Sequence, residues 1–357
     1  MNKKIVIIKG DGIGPEVVNE SVKILNAIAT VFNHSFTYQE CLMGAIAIDE
    51  TGVPLPQETI DACNQADAIL FGAIGHPKYD NDPNAKQRPE QGLLALRKAL
   101  QLYANIRPVS VYSSLKHLSP LKETILQDVD FVIYRELTSG IYFGKKFLAE
   151  DGSYASDECL YKKDEIEKIA HLAFKAAQQR SKKLTLVDKA NVLETSRLWR
   201  KTVIDLATNY PDVQVDYLFV DNAAMQIITN PKQFDVMLTE NMFGDILSDE
   251  ASVISGSLGM LPSASIGNKL ALFEPIHGSY PQATGLNIAN PLASILSAAM
   301  MLDYFNLFAE ANLIRAAVQE SLSKNLFTKD LNPNDFIGTN DVGNFIEQYI
   351  LKHQKSN

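Results

Sequence analysis

The sequence predicts an α/β protein built around a largely parallel sheet. Three observations carry this. Strand-length apolar runs keep being followed by stretches of helical periodicity. Glycine-rich turns sit where one gives way to the other. A glycine- and aromatic-rich central region interrupts the alternation, as a second lobe would. At 357 residues the chain has room for two domains with sizeable cores.

The first unit runs from the β-rich stretch Lys4 to Ile8 through Gly10-Asp11-Gly12-Ile13-Gly14-Pro15-Glu16 into a helix. In that helix Val17, Val18, Val22, Leu25, Ile28 and Ala29 recur at helical spacing. Ala68 to Gly72 is a second strand leading to Gly75-His76-Pro77-Lys78. Residues 91–103 read as a Leu-rich helix that Arg107-Pro108 breaks away from. Asp130 to Tyr134 is strand-like, and Gly140 through Tyr154 is extended or hairpin structure. Residues 164–180 form an amphipathic helix with Ile166, Ile169, Ala170, Ala173, Phe174 and Ala177 on one stripe. Leu184 to Val187 is a buried strand, and a helix carrying Val192, Leu193, Leu198 and Trp199 follows. Phe234 to Thr239 and Asp216 to Val220 are further strand-like runs. The last third holds long glycine-bearing connections, then apolar helices from Leu292 onward. No internal repeat or low-complexity tract occurs.

Composition excludes several classes. Hydrophobic residues at 46% and charged ones at 21% are ordinary for a globular protein. The 33 Lys plus Arg against 42 Asp plus Glu give −9, which argues against a nucleic-acid or anionic-membrane surface. No apolar run is long enough to cross a bilayer. Cys41, Cys63 and Cys159 lack metal-ligand spacing and read as thiols in a reducing cytoplasm.

The chemistry gathers around Asn241-Met242-Phe243-Gly244-Asp245-Ile246-Leu247-Ser248-Asp249. If Asn241 caps a helix here, Asp245 and Asp249 lie one turn apart on one face. Such a pair is either a solvated acidic face or two oxygen ligands for a hard cation such as Mg²⁺ or Mn²⁺. Asp221 closes the run Asp216 to Val220 and is a third oxygen donor. Lys189 ends another strand, where open α/β sheets place ligands. Desolvation near a metal would suit it to proton transfer. Arg97, Arg107 and Arg135 leave apolar elements and suit one small dianion, with Leu93 and Leu94 as an apolar wall beside them. Core packing is the plain alternative for those leucines. Tyr142 is a packing residue or a proton-donating phenol. Gly10, Gly12 and Gly14 do not match G-x-G-x-x-G, and no acidic residue follows at the expected distance, so a dinucleotide fold of that kind is not expected.

These segments, together with Arg135-Glu136-Leu137-Thr138-Ser139-Gly140-Ile141-Tyr142-Phe143-Gly144, Asp188-Lys189-Ala190-Asn191-Val192-Leu193-Glu194 and Glu274-Pro275-Ile276-His277-Gly278-Ser279, resemble the metal-dependent β-decarboxylating dehydrogenases over nearly the whole chain. The resemblance implies that family's two-lobed fold, with a large mostly parallel sheet and no Rossmann fold. A first, NAD-binding domain would comprise 1–103 plus 256–357. A second, metal-binding and dimerisation domain would comprise 104–255. It implies oxidation of a 2-hydroxy acid by NAD and loss of the 3-carboxylate. Asp221, Asp245 and Asp249 would hold Mg²⁺ or Mn²⁺, and Arg97, Arg107 and Arg135 would clamp carboxylates. Lys189 would take the hydroxyl proton and Tyr142 would protonate carbon. Lys189 and Asp221 would reach the site from the second subunit of a homodimer.

The resemblance also puts NAD against the loops at 72–80 and 274–290. Gly75, Glu274, His277, Gly278, Ser279 and Asn290 would bind it, and Gln282 would stand where NAD-specific members carry Asp. No Lys or Arg lies near 278–288 in sequence to pair with a 2′-phosphate, which favours NAD. Family members acting on isocitrate place Ser or Thr where this chain offers Leu93, Leu94 and Ala95. The implied substrate is therefore 3-isopropylmalate, converted to 2-ketoisocaproate in leucine biosynthesis, with D-malate or tartrate as the alternative.

Overall fold

The computed structural model describes residues 1–82 and 85–353. Its contacts form two compact units: Met1–Leu102, Tyr112–Leu118 and Ser255–Asn357 in the first, Tyr103–Val111 and Ser119–Ile254 in the second.

The first unit opens with β1 (Asn2–Gly10), buried from Ile5 to Ile8. After it, α1 (Gly14–Phe32) turns Val17, Val18, Ile24, Leu25 and Ile28 inward, with Pro15 in its first turn. The glycine turn between them serves packing. A Cβ on Gly12, at φ +59°, would sit 1.9 Å from the Ser279 carbonyl oxygen. Then come β2 (Ser35–Glu40), α2 (Ala45–Thr51), α3 (Gln57–Asn64) and β3 (Ala68–Ala73), whose six residues are all buried. Asp11 in the glycine turn is buried and ties these pieces together. Its carboxylate accepts from the backbone N–H of Ala45 at 2.9 Å, Ile46 at 3.0 Å and Gly75 at 2.9 Å. The short α4 (Pro77–Asp80) and α5 (Pro89–Ala99) follow. The helix expected over 91–103 ends at Ala99. Leu100 and Leu102 turn into the core with Ile8, Phe71 and Leu272, and Gln101 takes φ 52° to let them.

In the second unit, β4 (Ala104–Ser110) runs antiparallel to β5 (Asp130–Glu136), across α6 (Glu123–Leu126). Arg107 and Pro108 lie inside β4 and do not mark a break after a helix. The segment from Gly140 to Tyr142 is a 3-10 turn, and the expected hairpin begins later as β6 (Lys146–Leu148) and β7 (Ala155–Asp157). The amphipathic helix forms as expected: α7 (Lys163–Gln179) buries Ile166, Ile169, Ala170, Ala173, Phe174 and Ala177. Next are β8 (Lys183–Asp188), α8 (Glu194–Ala207), β9 (Gln214–Phe219), α9 (Val220–Thr229), β10 (Val236–Thr239) and α10 (Asn241–Ser255). Val192 and Leu193 precede α8 and are exposed, because the turn after β8 occupies them. The strand order is β4-β5-β10-β8-β9, parallel after the first pair. Phe131, Ile133, Val187, Met237, Leu247 and Ile254 fill the core.

The chain returns to the first unit with β11 (Pro262–Ile266) and β12 (Ala271–Pro275), an antiparallel pair where the sequence suggested only long connections. β12 joins β3 in parallel, giving the order β2-β1-β3-β12-β11. The helix α11 (Leu292–Tyr304) is apolar on nearly every face and buried accordingly. It packs on α1 and α12 (Phe308–Ser323), and α13 (Thr339–Lys352) covers α1. The expected α/β architecture with mostly parallel strands is what forms. Among the described residues, no helix is long and apolar enough to cross a membrane.

Candidate active site

The second unit builds its site where β10 runs directly into α10. Glu240 caps this helix: its carboxylate accepts from the Phe243 N–H, and its carbonyl accepts from Gly244 N at 3.0 Å. The expectation that Asn241 caps is therefore corrected. Helical geometry already includes Asn241, which frees its side chain for partners far off in sequence. Asn241 is 1% exposed. Its Oδ1 accepts from Arg135 Nε at 3.1 Å and Nη2 at 2.8 Å, and its Nδ2 donates to the Ser139 carbonyl at 3.1 Å.

Asp245 and Asp249 lie one turn apart on α10, and two guanidinium groups offset their repulsion. Arg135 Nη1 donates to Asp245 Oδ1. Arg107 Nη1 reaches Asp249 Oδ1 at 3.3 Å and Ser248 Oγ at 2.6 Å, and its Nη2 is 3.9 Å from Asp245. Tyr142 Oη donates to Asp245 Oδ2 at 2.9 Å, and the Arg135 guanidinium lies 5.8 Å from the ring centroid. Burial, with the Asp245 carboxylate beside it, pushes the Tyr142 phenol up. A Cβ on Gly244 would lie 2.6 Å from Arg135 Cγ, so this helical glycine makes room for the arginine stem.

Behind this face lies a buried layer that the sequence reading missed. Burial pushes Glu240 up to about 7, with Glu136 adding to it. Glu136 is pushed up by burial too, although it accepts from Thr138 N at 2.8 Å and Ser139 N at 2.9 Å. Tyr161 Oη accepts from Asn241 N at 3.0 Å, and its ring meets Trp199 edge-on at 5.5 Å. The available signal was Thr239-Glu240-Asn241, polar residues closing an apolar strand.

Lys189 and Asp221 form a second group in this unit, Nζ to Oδ1 at 2.5 Å. The Lys189 ammonium holds the Asp221 carboxyl below the usual carboxylate range. The turn that presents Lys189 is braced by Asp188, which accepts from Arg200 Nε and Nη2, both at 2.8 Å, and from Ala190 N at 3.0 Å. Among the described residues, no ion pair or hydrogen bond joins this pair to Asp245 or Asp249, and no three acidic, His or Cys side chains gather as a metal site. One copy of the chain thus brings together Arg107, Arg135, Tyr142, Asp245 and Asp249, but not Asp221 or Lys189. The two α10 carboxylates are hard oxygen donors on one helix face, and that donor chemistry fits a divalent cation needing further oxygens from elsewhere.

In the first unit, Arg97 Nη2 pairs with Glu274 Oε1 at 2.9 Å, and Arg97 Nε is buried without a partner. Leu93 is half-buried against the core, whereas Leu94 is 39% exposed. A cavity of about 520 Å³ is lined by Ile13, His277, Gly278, Asn290, Lys329 and Asp330, among others. His277 Nδ1 lies 2.9 Å from the Gly278 carbonyl, so it carries the proton and Nε2 is left a buried acceptor without a partner. Burial pushes this imidazole down. An orphan acceptor in a largely apolar cavity fits a flat ligand with an amino donor, as adenine has. Of the expected cofactor residues, Gly75, Glu274, Ser279 and Gln282 are placed outside the cavity lining. Gly75 is bonded to Asp11, Ser279 is buried, and Gln282 is exposed. Lys329 is a residue the sequence reading missed, since it comes from a segment remote from 278–288.

The family profile described as isocitrate/isopropylmalate dehydrogenase matches residues 4–346. A protein of Bacteroides fragilis named 3-isopropylmalate dehydrogenase is 53% identical over 99% of this chain and 100% of its own length. One of the same name from Geobacillus kaustophilus is 53% identical over 99% of this chain and 96% of its own. Among solved structures, an isocitrate dehydrogenase from Methylococcus capsulatus superposes with a TM-score of 0.88 at 33% identity, covering 98% of this chain and 99% of that one. A beta-decarboxylating dehydrogenase from Thermococcus kodakarensis gives 0.81 at 36% identity, with 98% and 96% covered.

Proposed function

Because the chain belongs to the isocitrate/isopropylmalate dehydrogenase family, we propose that it oxidises and decarboxylates 3-isopropylmalate to 2-ketoisocaproate, the step that serves leucine biosynthesis. The observation that carries the reading is the convergence of two guanidiniums and a phenol on Asp245, beside a second carboxylate one turn away. Mg²⁺ or Mn²⁺ would supply Lewis acidity toward the hydroxyl and its neighbouring carboxylate, and NAD a two-electron acceptor. Asp245 and Asp249 would hold the cation, with Asp221 of a second copy completing the set. Arg107 and Arg135, with Arg97, would take the substrate carboxylates in the bidentate fashion that guanidinium geometry favours. Lys189 would accept the hydroxyl proton. As carbon dioxide leaves, Tyr142 would return a proton to the carbon, and its pushed-up phenol stays protonated at neutral pH for that purpose.

Leu93 and Leu94 support an isopropyl substituent, because a third carboxylate against them would lose its hydration without a partner. The reading assigns the cofactor to the first unit, with His277, Gly278 and Asn290 on the adenosine and with Gly75, Glu274, Ser279 and Gln282 shaping the surrounding loops. It assigns metal binding and the pairing of two copies to the second. Met225 on α9 and Ile246 on α10, 59% and 58% exposed, support a homodimer. Three free cysteines suit the cytoplasm. The test is NADH formation with 3-isopropylmalate, D-malate and isocitrate, with and without EDTA. Turnover of 3-isopropylmalate above the other two, abolished by EDTA, is expected; equal or greater turnover of another substrate overturns the assignment.

A further inference from the structure

We infer that Asn241 is a positioning residue that locks the Arg135 guanidinium in the orientation a substrate carboxylate needs. The inference rests on the reading of Arg135 as a carboxylate clamp. An arginine side chain has several rotatable bonds, and holding it still before binding removes an entropic cost that binding would otherwise carry. Asn241 Oδ1 takes Nε and Nη2, one full edge of the guanidinium fork, at 3.1 and 2.8 Å. This turns Nη1 toward Asp245.

The amide cannot flip. Reversed, its NH₂ would face two donor N–H groups and its oxygen would face the Ser139 carbonyl. Its backbone is fixed as well, through Asn241 N to Tyr161 Oη. Gly244 acts on the same arginine independently, since a Cβ there would stand 2.6 and 2.7 Å from Arg135 Cγ and Cβ. Neutrality matters alongside shape. An aspartate at 241 could accept the same two bonds but would cancel the charge that a diacid is drawn to, and it would set a carboxylate against the Ser139 carbonyl. Asn241 also ties Arg135 to Ser139, which immediately precedes the turn carrying Tyr142, so clamp and phenol are held from one amide.

The experiment measures kcat and KM separately, diacid binding by calorimetry, Mn²⁺ affinity and melting temperature for Asn241→Ser, Asn241→Asp, Gly244→Ala and Arg135→Gln. Asn241→Ser is expected to raise KM and the diacid Kd about tenfold or more, with kcat falling less and Mn²⁺ affinity little changed. A purely structural asparagine would lower the melting temperature without that split. Arg135→Gln raising KM while Asn241→Ser leaves it unchanged overturns the inference. If Arg135→Gln also leaves diacid binding unchanged, the clamp reading itself is what fails. Should Asn241→Ser not fold, Asn241→Asp decides, because it keeps acceptors for Arg135 but cancels its charge: an unchanged diacid Kd overturns the inference, and a raised one with Mn²⁺ affinity retained supports it. Gly244→Ala, which crowds the same arginine stem, should raise KM as well.

Discussion

Glu240 makes the stability of the second unit depend on pH in a direction opposite to that of an ordinary carboxylate. Its carboxyl is buried behind α10, near Glu136, and is pushed up from 4.5 to about 7. A group whose folded pKa is raised contributes stability that is fully present below its unfolded pKa and is lost as pH rises through the folded one. At about 1.4 kcal/mol for each pH unit, the whole contribution is ~3 kcal/mol. Since the acid is mostly protonated in the folded chain at pH 5.5 and ionised at pH 8.5, about 2 kcal/mol of it disappears between those two conditions. Glu240→Gln keeps an acceptor for the Phe243 N–H and for the Tyr161 hydroxyl but cannot ionise. Asp11 and His277 also titrate abnormally, and they cancel in the comparison because both proteins have them. Glu136 interacts with Glu240, so the difference between the two pH values reads the pair. Trp199, the sole tryptophan, is buried edge-on against Tyr161 and reports unfolding of this layer. Urea unfolding followed by Trp199 emission is therefore expected to show the stability difference between wild type and Glu240→Gln shifting by about 2 kcal/mol in the variant's favour from pH 5.5 to 8.5. A difference that stays constant across the two pH values would refute the reasoning.

Other outcomes follow from the same geometry. Asp245→Asn keeps one acceptor oxygen, for Arg135, turns an NH₂ toward the Tyr142 hydroxyl, which can accept from it, and loses the charge. Calorimetry should show Mn²⁺ bound at least tenfold more weakly, with the melting temperature within about 2–4 °C of wild type; metal binding that survives the change removes Asp245 from the ligand set. Leu94→Ser and Leu93→Ser should each cut the kcat/KM preference for 3-isopropylmalate over D-malate by roughly fivefold, about 1 kcal/mol of buried methyl group. Only Leu93→Ser should also lower stability, because Leu93 shares the core; an unchanged ratio for Leu93→Ser would make it a packing residue alone. Lys329→Ser, which removes an ammonium from the cavity wall, should weaken equilibrium binding of NADP about tenfold while leaving that of NAD nearly unchanged. Equal effects on both cofactors would place Lys329 away from a 2′-phosphate.

What the sequence made legible follows from how far each feature's cause lies along the chain. Strands β3, β8 and β10 are short apolar runs because parallel strands are covered on both faces, and the stripe of α7 is written in its own spacing. The pair β11 and β12 was not legible, because its short runs sit among glycines and only pairing to each other and to β3 makes them strands. The acidic pair on α10 could be read from a spacing of four. Its partners could be named as arginines, but their convergence depends on β4 and β5 lying side by side. Asn241 was misread because an asparagine between strand and helix is locally indistinguishable from a cap. Its actual partners, Arg135 and Ser139, are more than a hundred residues away in sequence.

The departures from local rule around α10 explain one another. Two aspartates a turn apart repel, so guanidiniums from β4 and β5 must approach them. For the Arg135 stem to pass over the helix, position 244 must lack a Cβ, although glycine costs a helix about 1 kcal/mol against alanine. The helix start then needs a cap that does not compete for Arg135, and Glu240 meets that need in its protonated form, which still accepts from the Phe243 N–H. A permanently ionised acid buried at 240 would add a rival anion to the layer behind the clamp. A neutral Asn241 between the two layers therefore leaves the Arg135 charge uncancelled and its Nη1 directed to Asp245, as the proposed carboxylate clamp would require.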